Sequence, residues 1–296
     1  MLRNFTIRAL AALLAIIVMA AAPLSALAVD YQGPYNGVKD HLAGKTPSFG
    51  SVGGEWLVFA LARGGRVSPS GSWCSNYYDS IEAMVRENGS NILNPNKATE
   101  NSRLAIALTS IGRDARSVAG YDLISPLTDL DFVKRQGVTG VAFALLAMNA
   151  RSSYGETSAK NACVEYLLGK ELDGGGWSLG TTADTDVTAM AVTALAPFSN
   201  ASSAVGRGIA KLSSMQDADG GFSTMGTPNC ESCAQTVIAL SACGVDADTD
   251  ARFIKNGSSA LAALLSYYKG SGFSHTQNGP VNQMASEQAA CALCAY

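Results

Sequence analysis

A glycine-aromatic turn recurs three times in the second half of this chain, each time between two stretches with helical apolar spacing. The copies read Asp173-Gly174-Gly175-Gly176-Trp177, Asp219-Gly220-Gly221-Phe222 and Gly270-Ser271-Gly272-Phe273. An Ala-rich run follows each one, at residues 188–195, 233–240 and 286–293. Self-similarity of this kind marks a repeat architecture, in which one unit cannot bury its apolar face alone and packs on its neighbours. Paired glycines admit positive φ and close backbone approach, and the aromatic beside them supplies a large face to bury. Each turn reverses the chain between two helices.

Apolar spacing and helix punctuation predict six such pairs: 35–43 with 51–64, 75–89 with 98–112, 123–136 with 138–150, 156–170 with 184–196, 202–216 with 231–244, and 257–268 with 282–295. The second member of each pair is the more apolar and carries small residues, as in Ala189-Met190-Ala191-Val192-Thr193-Ala194. It is expected inside, and the amphipathic first member outside. Hairpins of this sort close into a ring, with parallel inner helices around a central cavity. The predicted fold is all-α, an α/α toroid whose glycine-rich turns lie where the inner helices begin.

The first residues stand apart from this pattern. Arg3 and Arg8 precede a wholly apolar run over 9–22, followed by Pro23 and Ala26-Leu27-Ala28. These are the marks of a signal peptide over 1–28 with a small-residue cleavage site, which leaves 29–296 as one toroid domain without a membrane span. A secreted or cell-surface protein is expected. Its removal leaves 19 basic against 24 acidic residues, a net of −5, which offers nucleic acid nothing. With 47% hydrophobic and 15% charged residues, the chain is rich enough in apolar surface to fold around a large core.

Gln216-Asp217-Ala218-Asp219-Gly220-Gly221-Phe222, with Leu212 a turn earlier, resembles the repeat of the squalene cyclase and protein prenyltransferase superfamily. Lys170 through Trp177 is a variant of it. Asp184-Thr185-Asp186-Val187-Thr188-Ala189-Met190, Phe253-Ile254-Lys255-Asn256-Gly257 and Val281-Asn282-Gln283-Met284-Ala285-Ser286-Glu287-Gln288 are most similar to the secreted bacterial proteins of this type. The resemblance is clear from about 160 to the end. Before that, only Gly53-Gly54-Glu55-Trp56 and the helix rhythm carry it. It implies the toroid, and it leaves function to be argued site by site.

Three activities of the superfamily can be tested on the residues. A class II terpene cyclase protonates an alkene with the middle Asp of Asp-x-Asp-Asp, which makes Asp186, with Asp184, the candidate acid; Val187 stands where the third carboxylate would be. Such enzymes also line their cavity with aromatics that stabilise carbocations, and the inner helices here offer little beyond Trp56, Phe59 and Phe143, which counts against a cyclase. The prenyltransferase zinc site requires an Asp, a Cys and a His. Glu231-Ser232-Cys233 falls at the right offset, but His41 and His275 are the chain's histidines and neither lies in Gln283-Met284-Ala285-Ser286. Corrinoid carriers need a polar rim and no acid, for which Asp186, Glu231 and Gln288 are available. They hold their ligand against a second small domain, so a separate lid domain or a second toroid is the expected partner.

Simpler roles account for several of these groups. Asp184, Asp186, Glu100 and Glu231 lie at predicted helix starts, where carboxylates cap free N–H groups for roughly 0.5 to 2 kcal/mol. Cys230-x-x-Cys233 begins one inner helix and Cys291-x-x-Cys294 ends the next, about 15 Å apart at 1.5 Å per residue, too far for one zinc ion. The seven cysteines read as small core residues, with a disulfide at Cys74 or Cys163 left open. Asp246-Ala247-Asp248-Thr249-Asp250 lacks the Gly and Glu of a calcium loop, and a capping loop is expected. No phosphate-binding loop, H-E-x-x-H or G-x-S-x-G is present.

The sequence therefore predicts a toroid that binds a hydrophobic or polycyclic small molecule, corrinoid- or isoprenoid-like, with no cofactor and no metal. Trp177, Asp184, Asp186, Phe222, Glu231, Phe273 and Gln288 are the expected ligand residues. A cyclase using Asp186 as general acid is the first alternative, and a structural surface module with a cavity plugged by side chains the second.

Overall fold

The computed structural model describes residues 28–296, and the expected signal segment lies outside the described residues except for Ala28. The helices are α1 (Gln32–Ala43), α2 (Trp56–Arg63), α3 (Ser72–Asn88), α4 (Ala98–Ser110), α5 (Leu130–Val133), α6 (Gly137–Asn149), α7 (Thr157–Leu168), α8 (Thr185–Leu195), α9 (Ser202–Met215), α10 (Cys230–Ala242), α11 (Ala260–Leu265) and α12 (Gln283–Ala295). Among the described residues, no helix is long and apolar enough to cross a membrane.

The even-numbered helices form the inner ring. Each packs on the next, α2 on α4, α4 on α6, and so on to α12, which packs back on α2 and closes the circle. The odd-numbered helices lie outside: α7 on α6, α9 on α8, α11 on α10, and α1 across the seam on α12 and α2. Inner helices follow one another through an outer helix that reverses the chain, so they run parallel. Small residues permit the close approach, and Ala189, Ala191, Ala194, Ala234, Ala239, Ala289 and Ala292 are all fully buried. The first described residues meet the last at the seam, where the Val29 N–H donates to Asp248 at 2.8 Å and the rings of Tyr31 and Tyr296 meet edge to face at 5.0 Å.

Three inner helices start in the same way. The side chains of Asp184, Asn229 and Asn282 accept the N–H of Val187, Ser232 and Ala285 at 3.0, 2.8 and 3.0 Å. Such caps satisfy one of the donors a helix start leaves open, for about 1 kcal/mol each. The glycine turns before them are tight. Gly220, at φ +87°, lies so close to Ser258 that a Cβ would stand 2.7 Å from its carbonyl oxygen.

Two outer helices are shorter than the apolar spacing predicts. The stretch 123–136 breaks into a 3-10 turn at Ser125–Thr128, α5, and a second 3-10 turn at Lys134–Gln136. Pro126 and Asp129 cause the break, the proline by lacking an N–H and the aspartate by capping Asp131 instead of continuing a helix. The stretch 257–268 keeps only α11. Asn256 and Gly257 have left-handed φ of 49° and 85° and turn a two-residue hairpin, Ile254–Lys255 against Ser258–Ser259, whose last residue caps α11. Residues 51–55 also depart from a helix, because Gly53 at φ +73° and Gly54 kink the entry to α2.

Candidate functional site

The axis of the ring is open over about 430 Å³, within the range of small-molecule sites. It is not plugged by side chains. Every inner helix contributes residues three or four apart on one face. Trp56, Phe59 and Arg63 come from α2, Phe143 and Leu146 from α6, Gln235 and Ile238 from α10, and Gln288 and Cys291 from α12. Ile106 of α4 and Met190 of α8 complete an apolar belt. The Trp56 ring stands 5.7 Å from that of Phe143 and 6.4 Å from that of Phe59, forming an aromatic wall. Next to it, between α10 and α12, the Gln235 amide donates to Gln288 Oε1 at 2.5 Å.

The polar residues of the cavity gather toward the C-terminal ends of the inner helices, where Arg63 and Asn149 are exposed while Gln288 is 8% and Cys291 5% exposed. The exposed end of the cavity is thus opposite the glycine turns. Of the seven residues expected around a ligand, Gln288 alone lines it.

Trp177, Phe222 and Phe273 are fully buried in the wall between inner and outer helices. The backbone explains why. The Trp177 N–H donates to Thr188 Oγ1 at 2.9 Å, and the Phe273 N–H donates to Ser286 Oγ at 2.9 Å, each bond tying a glycine turn to the inner helix that follows. The Trp177 indole N–H reaches outward to the Leu167 carbonyl of α7 at 2.7 Å. These rings seal the layers together and do not line the cavity.

Asp184 serves as an N-cap. Asp186 and Glu231 precede Met190 and Gln235 by four residues, one helical turn toward the starts of α8 and α10, and neither lines the cavity. The Glu231 carboxylate pairs with His275 Nδ1 at 2.8 Å. Asp186 Oδ1 is buried and has no hydrogen-bond partner. Burial pushes the Asp186 pKa up, the carboxylates of Asp184 and Glu231 add to the rise, and the hydroxyls of Ser232 and Thr224 oppose it.

A second acidic pair, which sequence reasoning passed over as a site, clasps the seam of the ring. Glu55 and Glu287 are both fully buried. Glu55 accepts the Gly50 N–H at 2.8 Å and lies 3.4 Å from Arg103 Nε; Glu287 accepts the Gly53 N–H at 2.9 Å and the Gln283 amide at 2.6 Å. Glu287 Oε2 is left without a partner. Burial lifts the Glu287 pKa to about 7, and the Glu55 charge adds to the effect. The available signal was a carboxylate, Glu287, inside the Ala-rich inner-helix run from Met284 to Leu293.

The described cysteines are free thiols, five of the seven buried. Cys230 and Cys233 begin α10 while Cys291 and Cys294 lie near the end of α12. Asp246, Asp248 and Asp250 cap their own loop and bind Tyr296, Ser259 and Arg252. Among the described residues, no group of three or more His, Cys, Asp or Glu is placed to hold a metal ion.

No family profile and no curated protein matches the chain. Among solved structures it is similar to the ent-copalyl diphosphate synthase from Streptomyces platensis, with a TM-score of 0.58 and 19% sequence identity over 81% of this chain and 49% of the synthase. The chain therefore spans about half the length of that enzyme. A closed double ring of helices, matched to this neighbour at that level, is a terpenoid cyclase-like fold.

Proposed function

We propose that this chain is an exported member of the squalene cyclase and prenyltransferase repeat superfamily that binds an apolar small molecule in its central cavity without transforming it. The observation that carries this reading is the cavity of about 430 Å³. Its belt is aromatic and aliphatic, and no carboxylate lines it. A volume at the lower end of the small-molecule range suits an isoprenoid or a molecule of a few fused rings. A corrinoid would rest on the mouth, under a separate lid domain or second toroid.

Calorimetric titration with sterols, isoprenoids and corrinoids tests the reading. At least one of the first two classes is expected to bind, and Ile238→Trp, which fills the belt, is expected to weaken that binding at least about tenfold. Absence of any binding removes the proposal. The cyclase reading is kept second because Asp186 is a half-buried acid with one buried, orphaned oxygen and a raised pKa, one helical turn from Met190 of the belt. Cyclised product from a polyprenyl substrate that vanishes in Asp186→Asn would put it first.

A further inference from the structure

The ligand's head group can be read from the cavity mouth. We infer that the cavity takes an amphipathic monoanion, an apolar body ending in a single carboxylate, with the head held by Arg63. This deepens the binding reading above and rests on it.

Among the described residues, Arg63 is the one charged side chain lining the cavity. The other arginines near the C-terminal ends of α2, α4 and α6 are occupied. Arg66 pairs with Asp40 at 2.8 Å, Arg116 and Arg151 share Asp114 at 2.7 and 3.4 Å, and Arg113 lies over the Tyr78 ring at 4.4 Å. Arg63 has no ion-pair or hydrogen-bond partner among the described residues.

The hydroxyls beside it do not compete for an anion. Thr109, Ser110 and Thr193 donate to the carbonyls of Ala105, Ala107 and Ala189 in their own helices, at 2.6, 2.6 and 2.8 Å. The donors left at the mouth are the Arg63 guanidinium and the Asn149 amide. Below them the lining turns apolar, through Phe59, Leu146 and Ile106. Such layering matches a molecule with one polar end.

The charge of the head follows from the count of free cations. A guanidinium presents a fork of donors that fits one carboxylate. A diphosphate carries more charge and would need further cations, and the neighbouring arginines are already neutralised or stacked. The C-terminal ends of six parallel helices also gather at this mouth, and their partial negative charges oppose any anion that lacks a direct partner. A bland alternative exists in which Arg63 only complements the end of α2. It predicts no preference for an anionic head.

The test compares dodecanoate with dodecanol, which share one tail, on the intact protein and on Arg63→Gln. A charge-assisted pair at the mouth gives the carboxylate a roughly tenfold or greater advantage. In Arg63→Gln that advantage is expected to fall below about twofold, with dodecanol affinity unchanged, and Arg63→Lys is expected to restore part of it. Equal affinities for the two ligands in the intact protein overturn the head-group assignment and leave the cavity reading standing. Binding of neither also overturns the head-group assignment, and the sterol and isoprenoid titrations then decide the cavity reading. A thermal melt of Arg63→Gln that matches the intact protein ties a lost preference to the mouth rather than to unfolding.

Discussion

Trp177→Ala is expected to destabilise the protein by about 3 to 5 kcal/mol, a large part of the 5 to 15 kcal/mol available to a typical domain. Its indole is wholly buried and donates to the Leu167 carbonyl of α7 at 2.7 Å, so truncation leaves a void and removes the hydrogen bond that ties the ring to the outer helix. The surroundings cannot close over the void easily. A Cβ on Gly208 of α9 would stand 2.9 Å from Trp177 Cζ3 and 2.5 Å from a Val192 methyl, which shows how closely the outer helix already rests on this ring. Denaturant unfolding checks the value. Trp73→Ala is the control, since that ring is half-buried and its N–H bonds to the Lys45 carbonyl at the surface. A loss from Trp177→Ala no larger than from Trp73→Ala would remove the aromatic clamp from the account.

The second large effect is a loss of stability as pH rises. Glu287 holds its proton in the folded state up to about 7, against an ordinary value of 4.5. Between those values the unfolded chain binds fewer protons than the folded one, so folding loses free energy through that window. The stabilisation is complete below about pH 4.5 and gone above about pH 7, and for a change of that size it amounts to roughly 3 kcal/mol. Glu55, the nearest titratable group, is also raised by burial and acts in the same direction, while Arg103 is the cation that faces it. Glu287→Gln keeps an acceptor for the Gly53 N–H and releases nothing on ionisation. Unfolding free energies at pH 5 and pH 8 should therefore fall in the intact protein and differ far less in the variant. An equal fall in both would place the pH dependence elsewhere.

The ring was legible because each repeat carries its own punctuation. Asp184, Asn229 and Asn282 mark the start of three inner helices within a residue or two of the predicted positions, and Trp56, Phe59 and Phe143, read as the inner aromatics, do line the axis. The short outer helices were less legible, because Pro126 and Asn256-Gly257 interrupt patterns whose apolar spacing continues past them. Helical periodicity tells which face of a helix is buried. It does not tell whether that face meets another helix or the open axis, which is why Trp177, Phe222 and Phe273 were expected at a ligand and lie in the wall. Arg63 had no distinguishing mark among its neighbours in sequence. Only the closure of the ring brings it over the opening while Asp40, Asp114 and the Tyr78 ring occupy the others.

The account depends most on an open, apolar axis that a small molecule can enter. Trp56 is the only one of the chain's three tryptophans on that axis, so its emission reports entry directly. Titration with a bromine-tagged apolar ligand is predicted to quench part of the tryptophan emission, saturably, and Trp56→Phe to abolish that quenching while Trp73 and Trp177 continue to emit. Quenching that survives in Trp56→Phe, or none in the intact protein, would contradict it.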